Sequence, residues 1–268
     1  MNLNTASKIL LAGLLCLSSV AQVQAIIIRH DMADSRYIVN ELDFPQLFFL
    51  HTRFDNKVCM ATLISEQWAI TAGHCTVETP LGETLSAGEP YQVSLVGQIY
   101  TVDKLVLHPG FLHPQQSKAV DMALIRLDRV VSGISPIKLY QAGDEQNQIL
   151  SMIGWGYTGT GAHGMAGNDG KLRRAQNRVE KADQWLEFLF DDPRAVLNSA
   201  LQLEGVPGLG DSGGPAMLET PEGMVLLGVA LGEVDKPDST EQGSYGAVSL
   251  YERISTHYQW ILEVIEGP

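Results

Sequence analysis

The apolar residues of this chain come in short runs with turn-forming residues between them. Gln46–His51, Thr62–Thr71, Tyr91–Val96, Met122–Leu127, Ile149–Gly154 and Val225–Leu231 are rich in Val, Ile, Leu and Phe, and Gly, Pro, Asn and Asp cluster around them. Such runs read as strands. Many of them, without alternating helices, predict an all-β fold of barrels or sandwiches rather than strand–helix–strand units. Helical spacing is clear only at the end, where Leu250, Ile254, Tyr258, Ile261 and Ile265 share one apolar face. Arg178–Phe190 carries a weaker helical pattern, with a strand pair as the alternative. Gly154–Gly170 is glycine-rich, ends in the turn signal Asn168-Asp169-Gly170, and reads as a long mobile loop. No phosphate-cradling glycine motif opens a helix there.

The first residues read as a removable leader. Lys8 supplies positive charge, Ile9–Leu17 is apolar but too short to span a bilayer comfortably, and Val23-Gln24-Ala25 fits a small-residue cleavage site. Residues 1–25 are therefore expected to be a signal peptide. Cleavage after Ala21, a lipid anchor on Cys16 and an uncleaved membrane anchor are the alternatives. The expected location is extracellular or periplasmic, with no membrane contact after cleavage. The remaining chain is divided near Val131–Pro136 into halves 26–135 and 136–268.

With 268 residues, 45% of them hydrophobic, the chain can bury a substantial core. The net charge is −13, and no basic face is available to grip nucleic acid. That acidity suits a soluble monomer. Without the leader two cysteines remain, Cys59 and Cys75. One disulfide is the simplest reading for an exported chain, worth about 3 kcal/mol, and two reduced thiols are the alternative.

Three segments carry chemistry: Thr71-Ala72-Gly73-His74-Cys75, Asp121-Met122-Ala123-Leu124 and Gly210-Asp211-Ser212-Gly213-Gly214-Pro215. A serine hydroxyl is a poor nucleophile unless an imidazole takes its proton. The imidazole in turn needs a partner that fixes its tautomer and stabilises the imidazolium. The carbonyl oxygen under attack becomes negative and needs fixed donors, which backbone N–H groups in a glycine-rich turn can supply. Each segment alone is weak evidence; together, in this order, they are specific.

The three segments resemble the signature of the trypsin/chymotrypsin family. TAGHC and GDSGGP match its pattern, and DMALIRL is similar to its aspartate strand. Phe44-Pro45, His108-Pro109, Gly154-Trp155-Gly156 and Trp260 extend the likeness from about Asp43 to the C-terminus, poorly over Gly156–Val206. The resemblance implies two packed antiparallel six-stranded β-barrels with a C-terminal α-helix and the site between the barrels. It implies a secreted serine endopeptidase acting on proteins or peptides without a cofactor. His74 would be general base and then acid, Asp121 its orienter and Ser212 the nucleophile. The N–H groups of Gly210 and Ser212 would form the oxyanion hole, and Asp211 would receive the activated amino terminus. Cys59 and Cys75 have the spacing of the family's histidine-loop disulfide. The alternatives are a catalytically silent binding protein and an esterase. His30, His51, His108, His113, His163 and His257 show no metal-ligand spacing, so no metal is expected.

Two regions depart from the pattern. The usual Ile-Val-Gly-Gly start is replaced by Ile26-Ile27-Ile28-Arg29, which suggests that leader removal itself exposes an Ile26 amine able to reach Asp211. Val206, six residues before Ser212, stands at the expected pocket floor, where an acid would be needed to pair with Arg or Lys. A small or apolar residue before the cut bond is therefore expected. Leu231, Gly232 and Glu233 replace the strand segment that would pair with substrate backbone, and Gly208 stands where a pocket cysteine is common.

Overall fold

The computed structural model describes residues 26–112, 119–197, 199–234 and 242–267. The expected leader, residues 1–25, lies outside them. β1 (Ile26–Ile28) is followed by β2 (Leu47–Arg53), β3 (Asn56–Leu63), β4 (Trp68–Thr71), β5 (Tyr91–Leu95), β6 (Gln98–Leu107) and β7 (Ala123–Leu127). Short helices α1 (Cys75–Glu78), α2 (Leu81–Ser86) and α3 (Pro109–Leu112) interrupt them. Strands β2 to β7 form one antiparallel sheet in the order β2-β3-β4-β7-β6-β5, with β2 against β5, so the sheet curls into a nearly closed barrel. Its strands alternate as a half-buried sheet must: Tyr91, Val93 and Leu95 face the core, and Gln92 faces solvent. The run expected as one strand, Thr62–Thr71, is two. It breaks at Ser65-Glu66-Gln67, where Ser65 Oγ accepts the Trp68 N–H at 3.1 Å.

The second half contributes β8 (Lys138–Leu139), β9 (Ile149–Gly154), β10 (Thr158–Thr160), β11 (Gly164–Gly167), β12 (Arg173–Arg178) and β13 (Lys181–Ala182). After these come β14 (Trp185–Leu189), β15 (Gly205–Val206), β16 (Pro215–Thr220), β17 (Gly223–Glu233), β18 (Val248–Arg253) and α4 (Ile254–Glu266). The second sheet, a half-barrel, runs β12-β9-β16-β17-β18-β14-β13, with β8 beside β17. It therefore has six longer strands and two of two residues each, β13 at one end and β8 beside β17. The two curled sheets and the terminal helix match the expected all-β class. Arg178–Phe190 adopts the strand-pair alternative, as β13 and β14. Leu250, expected on the terminal helix, lies on β18, and the helix begins at Ile254.

Gly154–Gly170 is a hairpin rather than a mobile loop. Strands β10 and β11 pair within it, and a Cβ on Gly159 would lie 1.9 Å from the Gly164 carbonyl oxygen. Glycine there permits a backbone approach that any side chain would block. The expected division also shifts. Residues 26–28 were expected in the first half, yet β1 pairs with β10 and β15 of the second half in a third sheet, β11-β10-β1-β15. Three consecutive isoleucines carry no polar alternation and suit a strand buried on both faces; they are 1%, 0% and 2% exposed. Arg173 fastens the segment after β1. Its side chain is fully buried and makes paired bonds to Asp34 (2.7 and 2.9 Å) and Asp169 (2.8 and 2.9 Å). The largest core crosses the boundary, joining Leu63, Ile70 and Leu124 to Ile153, Leu226, Val229, Ile254 and Ile261.

Candidate active site

His74 stands at the start of α1, where its carbonyl accepts the N–H groups of Val77 and Glu78. The Cys59–Cys75 disulfide (Cα–Cα 5.8 Å) fastens that turn to β3. Asp121 sits two residues before β7 and holds His74 at two points. Its Oδ1 accepts the His74 backbone N–H at 2.7 Å, and its Oδ2 meets the ring Nδ1 at 2.6 Å. A proton on Nδ1 leaves Nε2 as the free base. Burial works against a charged ring. The Asp121 hydrogen bond and charge, helped by Glu78, outweigh it and raise His74 above the ordinary histidine value.

Ser212 lies in a turn that only glycines can build. Gly210 has φ +93° and Gly213 φ +77°. A Cβ on Gly213 would lie 2.3 Å from the Met60 carbonyl oxygen and 2.4 Å from Thr71 Oγ1. The turn is pinned on both sides: Met60 N–H donates to the Ser212 carbonyl at 2.7 Å, and Gly213 N–H to the Ala230 carbonyl at 2.8 Å. Among the described residues, the N–H groups of Gly210 and Ser212 donate to no other acceptor.

His74 and Ser212 line one cleft of about 320 Å³ between the two halves. Pro207, Gly208, Leu209, Leu231, Gly232 and Glu233 complete much of its wall, so three of the four expected substrate-contacting residues are there. Val206 is not. It is fully buried beneath the wall with Ile27, Phe190, Met165 and Tyr245, because β15 is paired to β1 on its far side. The Glu233 carboxylate accepts the Gly243 N–H at 2.8 Å. Glu78 also lines the cleft, a position that motif reading did not single out.

Asp211 points away from the cleft into the protein. It is 1% exposed and accepts the N–H groups of Gly156 (2.6 Å) and Gly208 (2.9 Å). Burial raises its carboxyl to about 7, with those amide bonds pulling the other way. Among the described residues no cation forms an ion pair with it. Near His74, ligand atoms of Cys59, His74 and Cys75 lie within 4.8 Å of one another. The two sulfurs are joined as a disulfide, so neither can bind a metal as a thiolate.

The trypsin family matches residues 39–261 of this chain. The chain belongs to the trypsin family. This trypsin-family protein is a trypsin-like serine peptidase, a hydrolase. It is 28% identical over 236 residues to the complement C1s subcomponent of Sus scrofa, covering 80% of this chain and 33% of that protein. It is 27% identical over 240 residues to an uncharacterized peptidase of Corynebacterium glutamicum (strain R), covering 87% of this chain and 72% of that one. A trypsin of Saccharopolyspora erythraea is 25% identical over 236 residues, covering 85% of this chain and 96% of the relative. The chain thus spans a third of the complement subcomponent and most of the two bacterial proteins.

Proposed function

We propose that this trypsin-like peptidase is an exported endopeptidase that cuts proteins or peptides through Ser212, His74 and Asp121. The carrying observation is the 2.6 Å bond between His74 Nδ1 and Asp121 Oδ2, with His74 and Ser212 facing one cleft. His74 Nε2 takes the Ser212 proton as Oγ attacks the scissile carbonyl. The Gly210 and Ser212 N–H groups receive the oxyanion. His74 then gives the proton to the leaving amine, and an acyl group remains on Ser212. A water, deprotonated by His74, attacks the acyl carbon; the bond to Ser212 Oγ then breaks, His74 returns its proton to that oxygen, and the acid product leaves. Asp121 holds the ring through Nδ1 and stabilises the imidazolium at each stage.

Leader removal before Ile26 completes the site in this reading. Ile26 pairs opposite Thr158, two residues beyond Gly156, and Ile27 opposite Val206, two residues before Gly208. Gly156 and Gly208 are the residues whose amides hold Asp211. An amine released at Ile26 supplies a cation to this buried carboxylate, with which no described side chain forms an ion pair. The Cys59–Cys75 disulfide supports an oxidising compartment, extracellular or periplasmic. Pro207, Gly208, Leu209, Leu231 and Gly232 on the cleft wall favour a small or apolar residue before the cut bond.

Casein hydrolysis by the wild type and its loss in Ser212→Ala test the reading. Retained hydrolysis in that variant would refute it. Hydrolysis of simple esters without casein cleavage would point to an esterase, and neither activity in folded protein would point to a silent binder.

A further inference from the structure

Glu252 takes no part in the reaction as described, yet its carboxylate is placed against the triad. It lies on β18 and is 1% exposed. Its Oε1 accepts the backbone N–H of Asp121 at 2.8 Å and the indole N–H of Trp185 at 3.3 Å. Its Oε2 faces Nε2 of His257, on α4, at 3.4 Å. Holding the Asp121 N–H requires only an acceptor, and an amide would serve. A carboxylate also brings a charge that is costly to bury, unless it acts on its neighbours.

The surroundings narrow what that charge can act on. The His108 ring packs edge-on against His257 at 4.9 Å between centroids. Its Nδ1 accepts the Gly110 N–H, and burial, with His257 beside it, pushes it down to about 4, so it supplies no cation near neutral pH. Arg253, next along the chain, is committed to Glu145 at 2.6 Å. The groups facing Glu252 are therefore Asp121, Trp185, His257 and neutral His108. Those facing the His74 ring are Asp121 and Glu78. A line of polar groups runs from His74 through Asp121 and Glu252 to His257 on the terminal helix.

We propose that Glu252 is a positioning residue for the triad: it clamps the Asp121 backbone and sets a negative charge behind Asp121, and His257 counterbalances that charge. The inference rests on the triad reading given above. Its sign follows from electrostatics. A negative charge on this side favours the imidazolium, so removing it lowers the pH at which His74 titrates.

Glu252→Gln keeps an acceptor for the Asp121 N–H and removes the charge. In this variant the His74 imidazole titration, followed by NMR, should move down by about half a pH unit. The acidic limb of kcat/KM should move with it, and kcat should fall roughly 10-fold with KM nearly unchanged, as expected when transition-state stabilisation alone is lost. His257→Gln should shift the His74 titration in the wild-type background and leave it unmoved in the Glu252→Gln background, because its effect passes through Glu252. An unchanged His74 titration in Glu252→Gln would overturn the proposal, as would equal effects of His257→Gln in both backgrounds. If Glu252→Gln fails to fold, His257→Gln alone must still move the titration, and a null result there overturns it. The NMR titration needs no turnover, so it separates this failure from failure of the triad itself, which Ser212→Ala reports.

Discussion

Retaining one residue ahead of Ile26, so that the chain begins at Ala25, tests the use made of the buried carboxylate of Asp211. Burial raises this group from 3.8 to about 7. A carboxylate with a raised folded value is penalised in its ionised form. The penalty is absent below about pH 4, grows as pH rises through the folded value, and levels off above it. Three pKa units correspond to about 4 kcal/mol. An amine at Ile26 would offset most of this by pairing with Asp211, whereas in the Ala25 form that nitrogen is a neutral amide. Thermal unfolding of both forms between pH 4 and 8 reads the difference. The Ala25 form should lose up to about 4 kcal/mol relative to the Ile26 form across this range, roughly 10 °C in Tm for a domain of this size. Its casein hydrolysis should fall as well. Asp211→Asn in the Ala25 form should remove the extra pH dependence. Parallel pH–stability curves and equal activities of the two forms would show that the Ile26 amine does not pair with Asp211.

Gly213→Ala should cost about 3 kcal/mol in urea unfolding and abolish most casein hydrolysis. Its Cβ would meet backbone and Thr71 Oγ1 inside 2.5 Å at a positive φ, and the strain falls on the residue after Ser212. Replacing Cys59 and Cys75 together by serine should lower unfolding free energy by about 3 kcal/mol, because the unfolded chain regains the loop freedom that the disulfide removes. A matching fall in Tm, with the His74 NMR titration still measurable, is the check.

The parts of this fold that the sequence made readable are those in which local chemistry and tertiary demand agree. Tyr91–Leu95 alternates because one face is wet, and GDSGGP is glycine-rich because Gly213 meets backbone within van der Waals distance. The hairpin at Gly154–Gly170 was not readable, since glycines that permit close strand approach look the same in sequence as glycines that loosen a loop. Val206 failed as a cleft residue because its direction depends on β1, whose Ile27, from the start of the described chain, pairs with it, and no local pattern encodes that pairing. Glu252 was invisible for the same reason. Nothing in Leu250-Tyr251-Glu252-Arg253 distinguishes a solvent-facing acid from one that holds Asp121, and only the pairing of β18 with β14 and β17 turns it inward.

The most direct test is to treat the protein with a fluorophosphonate probe and locate the adduct by peptide mapping. A single covalent adduct is expected on Ser212, formed fast when His74 is neutral and lost in His74→Ala. Folded protein that forms no adduct, or forms it on another serine, would contradict Ser212 as the nucleophile.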